Sequence, residues 1–115
     1  WARDRTRGEQ LPLEFLVNKQ TRRTAEAYGL LDRGLLRPGY RADLNIVDHA
    51  ALSVGRPQLA FDLPAGGKRL LQKADGYVAT IKSGQITFRE GEYLGVHPGK
   101  LIRGPQIAAQ AMAAE

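Results

Sequence analysis

Apolar residues recur at helical spacing from Leu11 to Leu30. Leu13, Leu16 and Val17 fall on one helix face, and Pro12 suits a first turn, where its missing N–H costs nothing. The central stretch NKQTRRT is polar on every side. Ala25 and Tyr28 then resume the apolar face, and Gly29 is a good stop. The pattern predicts two short helices, or one helix with a weak centre that breaks near Thr21–Thr24.

The pattern then changes period. Gly34 and the Pro38–Gly39 pair punctuate the chain as turns, and proline followed by glycine is a type II turn signature. In ADLNIVD, Leu44 and Ile46 alternate with Asp43 and Asn45, which predicts a half-buried strand. The stretch from Ala50 to Gly67 shows no clear period and carries Gly55, Pro57, Pro64 and Gly66–Gly67. It reads as a long loop ordered against a neighbouring surface.

The clearest strand signal is YVATIKSGQITFRE. Two alternating runs flank Ser83–Gly84, a two-residue hairpin turn. With that turn, Ile81 faces Ile86 and Ala79 faces Phe88. One face then holds Tyr77, Ala79, Ile81, Ile86 and Phe88; the other holds Thr80, Lys82, Gln85, Thr87 and Arg89. Gly91 marks a second turn, and EYLGV offers a third short strand. Two or three strands make a small sheet with open edges, which invites pairing with another chain. The alanine-rich end, PQIAAQAMAAE, favours helix but is too short to hold one without packing.

A length of 115 residues suggests one domain or less, and 43% hydrophobic residues is ordinary for a soluble globular protein. No apolar run could span a bilayer, and no secretory signal is present at the start. Without cysteine there are no disulfides and no thiolate chemistry. Together these predict a cytoplasmic protein with no membrane partner. The net charge of +5 is scattered. Arg3, Arg5 and Arg7 alternate with Asp4 and Glu9, and no basic stripe is interleaved with aromatics. The charge therefore reads as a solvated surface, with no nucleic-acid partner expected. The opening on Trp1 and a polar run suggests the middle of a longer protein.

Chemistry-bearing motifs are sparse. His49 and His97 are far apart and read as exposed loop histidines rather than metal ligands. Ser53 and Ser83 lie in no nucleophile elbow. AGGKRL has the wrong spacing for a phosphate loop and reads as a glycine turn, with a loop at a pocket's edge as the alternative. Asp32, Asp43 and Asp48 are plausible acids, but no second carboxylate partner is legible for acid–base work. Asp43, at the start of a strand, suits capping of turn N–H groups.

GLLDRGLLRPGYRADLNIVD resembles a signature of the metal-dependent amidohydrolase superfamily. Gly34, Leu36, Pro38, Gly39, Ala42, Asp43, Leu44, Val47 and Asp48 carry the match, with Ile46 in the strand. In that superfamily the motif marks the exit from a catalytic barrel into a small β-sandwich. LPLEFLVNKQTRRTAEAYGLLDRG, FDLPAGGKRLLQKADGYVATIKSG and GVHPGKLIRG are similar to segments of N-acyl-D-amino-acid deacylases, also called D-aminoacylases. Dihydroorotase-like and hydantoinase-like enzymes share the exit motif, and DLPAGGKR favours the deacylases.

The resemblance implies an α+β fragment in three parts. Residues 1–33 would be the last helices of a TIM barrel, 34–104 part of a small, incomplete β-sandwich with a hairpin, and 105–115 an alanine-rich tail. It implies a zinc-dependent parent that hydrolyses the amide of N-acyl-D-amino acids, with its ligands and catalytic aspartate in a barrel upstream of Trp1. No catalytic, cofactor-binding or metal-binding residue is expected in this chain, which would be inert alone. Its expected partner is that missing barrel. The alternative is a β-rich interaction module that self-associates, completing its sheet as a homo-oligomer.

Overall fold

A computed structural model of the chain describes Gly8 and residues 10–108. The charge alternation across Arg3–Glu9 and most of the alanine-rich tail lie outside the described residues. The chain has an α+β architecture and divides into two compact units. Leu44–Pro98 form one unit, and the described residues on either side of it form the other.

In the flanking unit, α1 spans Leu13–Gln20 and α2 spans Arg22–Ala27. They break at Thr21, inside the predicted window. The break is stabilised locally: the Thr21 hydroxyl and N–H both donate to the Val17 carbonyl, at 2.7 and 3.0 Å, and the Thr24 hydroxyl donates to the Lys19 carbonyl. Such side-chain bonds offer the backbone an alternative to continuing the helix. Helix α2 stops at Gly29 in a Schellman arrangement. Leu30 N–H donates to the Ala25 carbonyl and Gly29 N–H to the Glu26 carbonyl, with Gly29 at φ +68°. Ala25 is buried, but Tyr28 is 75% exposed, and Leu13 and Val17 are also exposed. The helical period is therefore correct, but most of the apolar face lies uncovered. Past the second unit, the chain returns to this one: Gln106 bridges Leu30 in parallel, and its N–H donates to the Gly29 carbonyl at 2.8 Å.

The second unit is built on an antiparallel sheet ordered β1-β6-β7-β8. Strand β1 is Leu44–Val47, β6 is Tyr77–Lys82, β7 is Gln85–Arg89 and β8 is Glu92–Tyr93. Between β1 and β6 the chain runs out and back through β2 (Ser53–Val54), β3 (Gln58–Ala60), β4 (Arg69–Leu71) and β5 (Ala74–Asp75). The pairs β2–β5 and β3–β4 are antiparallel. This corrects the expectation of a long ordered loop over Ala50–Gly67: much of that stretch is one side of a two-stranded arm. Its strands are two and three residues long, too short to show a period, and their partners lie 9 to 22 residues away.

The β6–β7 hairpin turns on Ser83–Gly84, at φ +52° and +79°. Both central residues are left-handed, the type I′ geometry that matches strand twist. Lys82 opposes Gln85 and Ile81 opposes Ile86, as predicted. Beyond that the register shifts, so Phe88 opposes Thr80 and Ala79 opposes Arg89. The prediction that Ala79 faces Phe88 is therefore wrong. The irregularity leaves Thr87 as an extra residue on β7, a β-bulge. Thr87, assigned above to the polar face, is buried and donates its hydroxyl to the Thr80 carbonyl at 3.1 Å. Ala79 is buried, Ile81 and Ile86 are half-buried, and Tyr77 and Phe88 are exposed. Strand β8 fulfils the third-strand expectation, after a turn at Glu90–Gly91.

Candidate functional site

The exit motif folds into a charged clasp around a tight turn. Tyr40 N–H donates to the Arg37 carbonyl at 3.1 Å across Pro38–Gly39, with Gly39 at φ +86°. That is the type II geometry the sequence predicts. Arg41 N–H donates to the Asp32 carbonyl at 2.8 Å and ties the two sides together. The side chains reinforce this. Arg33 grips Asp32 through two bonds of 2.7 and 2.9 Å. The same guanidinium lies 3.7 Å from Asp43, and Arg41 lies 3.7 Å from Asp32. Arg33 and Asp32 are largely covered, at 13% and 18% side-chain exposure.

The electrostatics follow from that geometry. The hydrogen-bonded Arg33 guanidinium holds the Asp32 carboxyl below its usual 3.8, against partial desolvation pushing the other way. Asp32 in turn raises the pKa of Arg33. Each group favours the charged form of the other, which suits a clasp. Sequence reasoning named Asp32 and Asp43 but missed their arginines. The alternation of Asp and Arg through DRGLLRPGYRAD was the available signal.

A second cluster lines a recess of about 290 Å³ in the Leu44–Pro98 unit, where Asp48, Asp75 and Glu90 meet Gly76 and Tyr77. Two of the three carboxylates already serve the backbone or a hydroxyl. Asp48 accepts the N–H groups of Ala50 and Ala51, at 2.9 and 3.3 Å, and Asp75 accepts the Ser53 hydroxyl at 3.3 Å. Asp48 thus caps the turn that follows β1. His49 is exposed in the turn that Asp48 forms. His97 meets the Tyr93 hydroxyl, 2.6 Å from Nε2, and Tyr93 leans on Phe88 with ring centres 5.3 Å apart.

AGGKRL closes the arm. Pro64–Gly66 form one 3-10 turn, with Ala65 and Gly66 both at positive φ, and Asp62 and Arg69 form a bidentate pair across its base. Among the described residues, no three of His, Cys, Asp and Glu converge as a metal-binding group. The described residues therefore do not fit the zinc that the resemblance implies, and no reaction step is assigned to them. No described helix is long and apolar enough to cross a membrane.

The sequence model of the amidohydrolase family matches residues 2–88, and the chain belongs to that family. More particularly, it is 52% identical over 93 residues to an N-acyl-D-aspartate deacylase of Alcaligenes xylosoxydans xylosoxydans, across 80% of this chain and 17% of that protein. It is 38% identical over 91 residues to an adenine deaminase of Brucella anthropi, across 68% of this chain and 16% of that protein. A D-aminoacylase of Alcaligenes xylosoxydans xylosoxydans is 32% identical over 91 residues, across 79% of this chain and 17% of that protein. The chain thus spans only 16–17% of the length of these relatives. No solved structure matches it significantly.

Proposed function

We propose that the chain is the C-terminal portion of an N-acyl-D-amino-acid deacylase and that it is non-catalytic by itself. The carrying observation is the 52% identity to an N-acyl-D-aspartate deacylase, against 38% to the adenine deaminase. In this reading α1 and α2 are the end of a TIM barrel, and the strands from Leu44 onward are part of a small β-sandwich. The clasp of Asp32, Arg33, Arg41 and Asp43 fixes the turn between them. The zinc and the hydrolytic groups belong to the barrel, outside these residues.

The test is to express the whole reading frame that contains these residues. Its product is assayed for release of D-aspartate from N-acetyl-D-aspartate, of D-leucine from N-acetyl-D-leucine, and of ammonia from adenine. Deacylation is expected. Ammonia release from adenine without deacylation overturns the reading, and deacylation by the 115-residue chain alone overturns its non-catalytic part.

A further inference from the structure

Asp75 is the only aspartate of the sequence followed by glycine, and neither Asn18 nor Asn45 precedes one. The pair sits where the arm rejoins the sheet. Asp75 ends β5 and is exposed, and Gly76 links it to β6 at φ +86°. Glycine has no Cβ to shield its own nitrogen from the side chain before it. The Gly76 N–H donates no hydrogen bond among the described residues, whereas the Gly76 carbonyl accepts from Asp48 N–H at 2.8 Å. The Asp75 carboxylate accepts the Ser53 hydroxyl at a long 3.3 Å. Both residues line the recess shared with Asp48 and Glu90, which is roomy and polar enough to hold water. Strand β5 is itself weakly held. It pairs through two residues with β2 and with no other strand, and an isolated two-stranded ladder is marginal in water.

We propose that Asp75–Gly76 is a site of spontaneous isomerisation to isoaspartate, reached when the β2–β5 ladder opens. The Gly76 amide nitrogen loses its proton and attacks Asp75 Cγ. The N–Cγ bond forms, a Cγ–O bond breaks and one water leaves, which closes a succinimide ring. Solvent water then opens the ring. Attack at Cγ restores aspartate. Attack at the main-chain carbonyl carbon gives isoaspartate, whose backbone runs through Cβ and Cγ. The net composition is unchanged, and no oxidant, reductant or enzyme takes part.

The fold gives this change a consequence. Isoaspartate lengthens the main chain by a methylene directly before Gly76. Gly76 has no slack to absorb it: a Cβ there would stand 2.7 Å from Leu52 backbone atoms and 2.9 Å from the Asp48 carbonyl oxygen. The isomerised chain therefore cannot remake both the Asp48–Gly76 bond and the Ser53–Asp75 pairing. An opening at the base of the arm, reversible with aspartate, becomes permanent.

The product of the whole reading frame is aged at neutral pH and physiological temperature, in parallel with the same protein unfolded in urea. Isoaspartate is located by peptide mapping with electron-transfer fragmentation and counted by an isoaspartate-specific methyltransferase. The expected result is isoaspartate at residue 75 and at no other aspartate of this chain, at a native rate within about tenfold of the unfolded one. Asp75→Glu, whose longer side chain must close a larger ring, should form none there. In the isomerised fraction, hydrogen exchange should be faster over residues 52–55 and 73–76 and unchanged at the Ser83–Gly84 turn. A native rate below that range, or no isoaspartate at all, overturns the proposal, because the closed ladder then protects the bond. Equal labelling at Asp48 or Asp62 overturns it as well. Isomerisation with unchanged exchange overturns the permanent opening. None of these outcomes depends on the deacylase reading.

Discussion

The backbone N–H of Asp48 donates to the Gly76 carbonyl at 2.8 Å, and the contact leaves no room for a side chain on Gly76. A Cβ there would lie 2.9 Å from the Asp48 carbonyl oxygen and 2.7 Å from Leu52 backbone atoms. Gly76 also sits at φ +86°. This pair is where the arm returns to the sheet, immediately before β6. Gly76→Ala is expected to destabilise the protein by roughly 3 kcal/mol, from left-handed strain and overpacking together. Urea unfolding measures it, and a change below about 1 kcal/mol would show that the return path is softer than its distances imply.

Acid should loosen the Pro38–Gly39 turn and its charged clasp. The Asp32 pKa is depressed on folding, chiefly by the hydrogen bond from Arg33. A depressed carboxyl contributes stability above its unfolded value and loses it as pH falls through the folded one. The window therefore lies below the usual 3.8. Unfolding midpoints should drop as pH falls below that value, and Asp32→Asn should flatten the drop while lowering the midpoint at neutral pH. An unchanged acid limb in the variant would remove Asp32 from the clasp.

The bulge at Thr87 should be measurable. Its hydroxyl is buried and bonded to the Thr80 carbonyl. Thr87→Val keeps the shape and the strand preference but leaves that carbonyl without its hydroxyl partner. A loss of about 1 kcal/mol is expected in chemical denaturation. A neutral or stabilising result would mean that burial of the added methyl outweighs the bond.

The turn between β7 and β8 invites stabilisation. Glu90 holds φ +49° and Gly91 φ +82°, a geometry that prefers Asn-Gly. Glu90→Asn should raise stability by about 0.5 kcal/mol through relief of left-handed strain, read as a higher melting temperature. A lower one would assign Glu90 a role in the recess it lines.

Local signals were legible where one residue type decides one dihedral. Gly29 ends α2, Pro38–Gly39 forms the type II turn, and Ser83–Gly84 sets the first two pairs of the hairpin. The exit motif and the deacylase-like segments pointed to the amidohydrolase family, as the family match bears out. Strands β2 to β5 were not legible, because ladders of two or three residues carry no period and depend on partners far along the chain.

The sequence by itself determined the helical stretch with a weak centre near Thr21–Thr24, the principal hairpin, the type II turn at Pro38–Gly39 and the family, because each is encoded within a few adjacent residues. Only the tertiary structure decided that the register slips at Thr87, since a bulge depends on what the opposite strand offers. Only it decided that Arg33 lies between Asp32 and Asp43, because opposite charges look like ordinary surface until the backbone folds them together. It also decided that Leu59 and Leu70 stand side by side in the open. Pairing across the arm aligns them, and nothing among the described residues covers them.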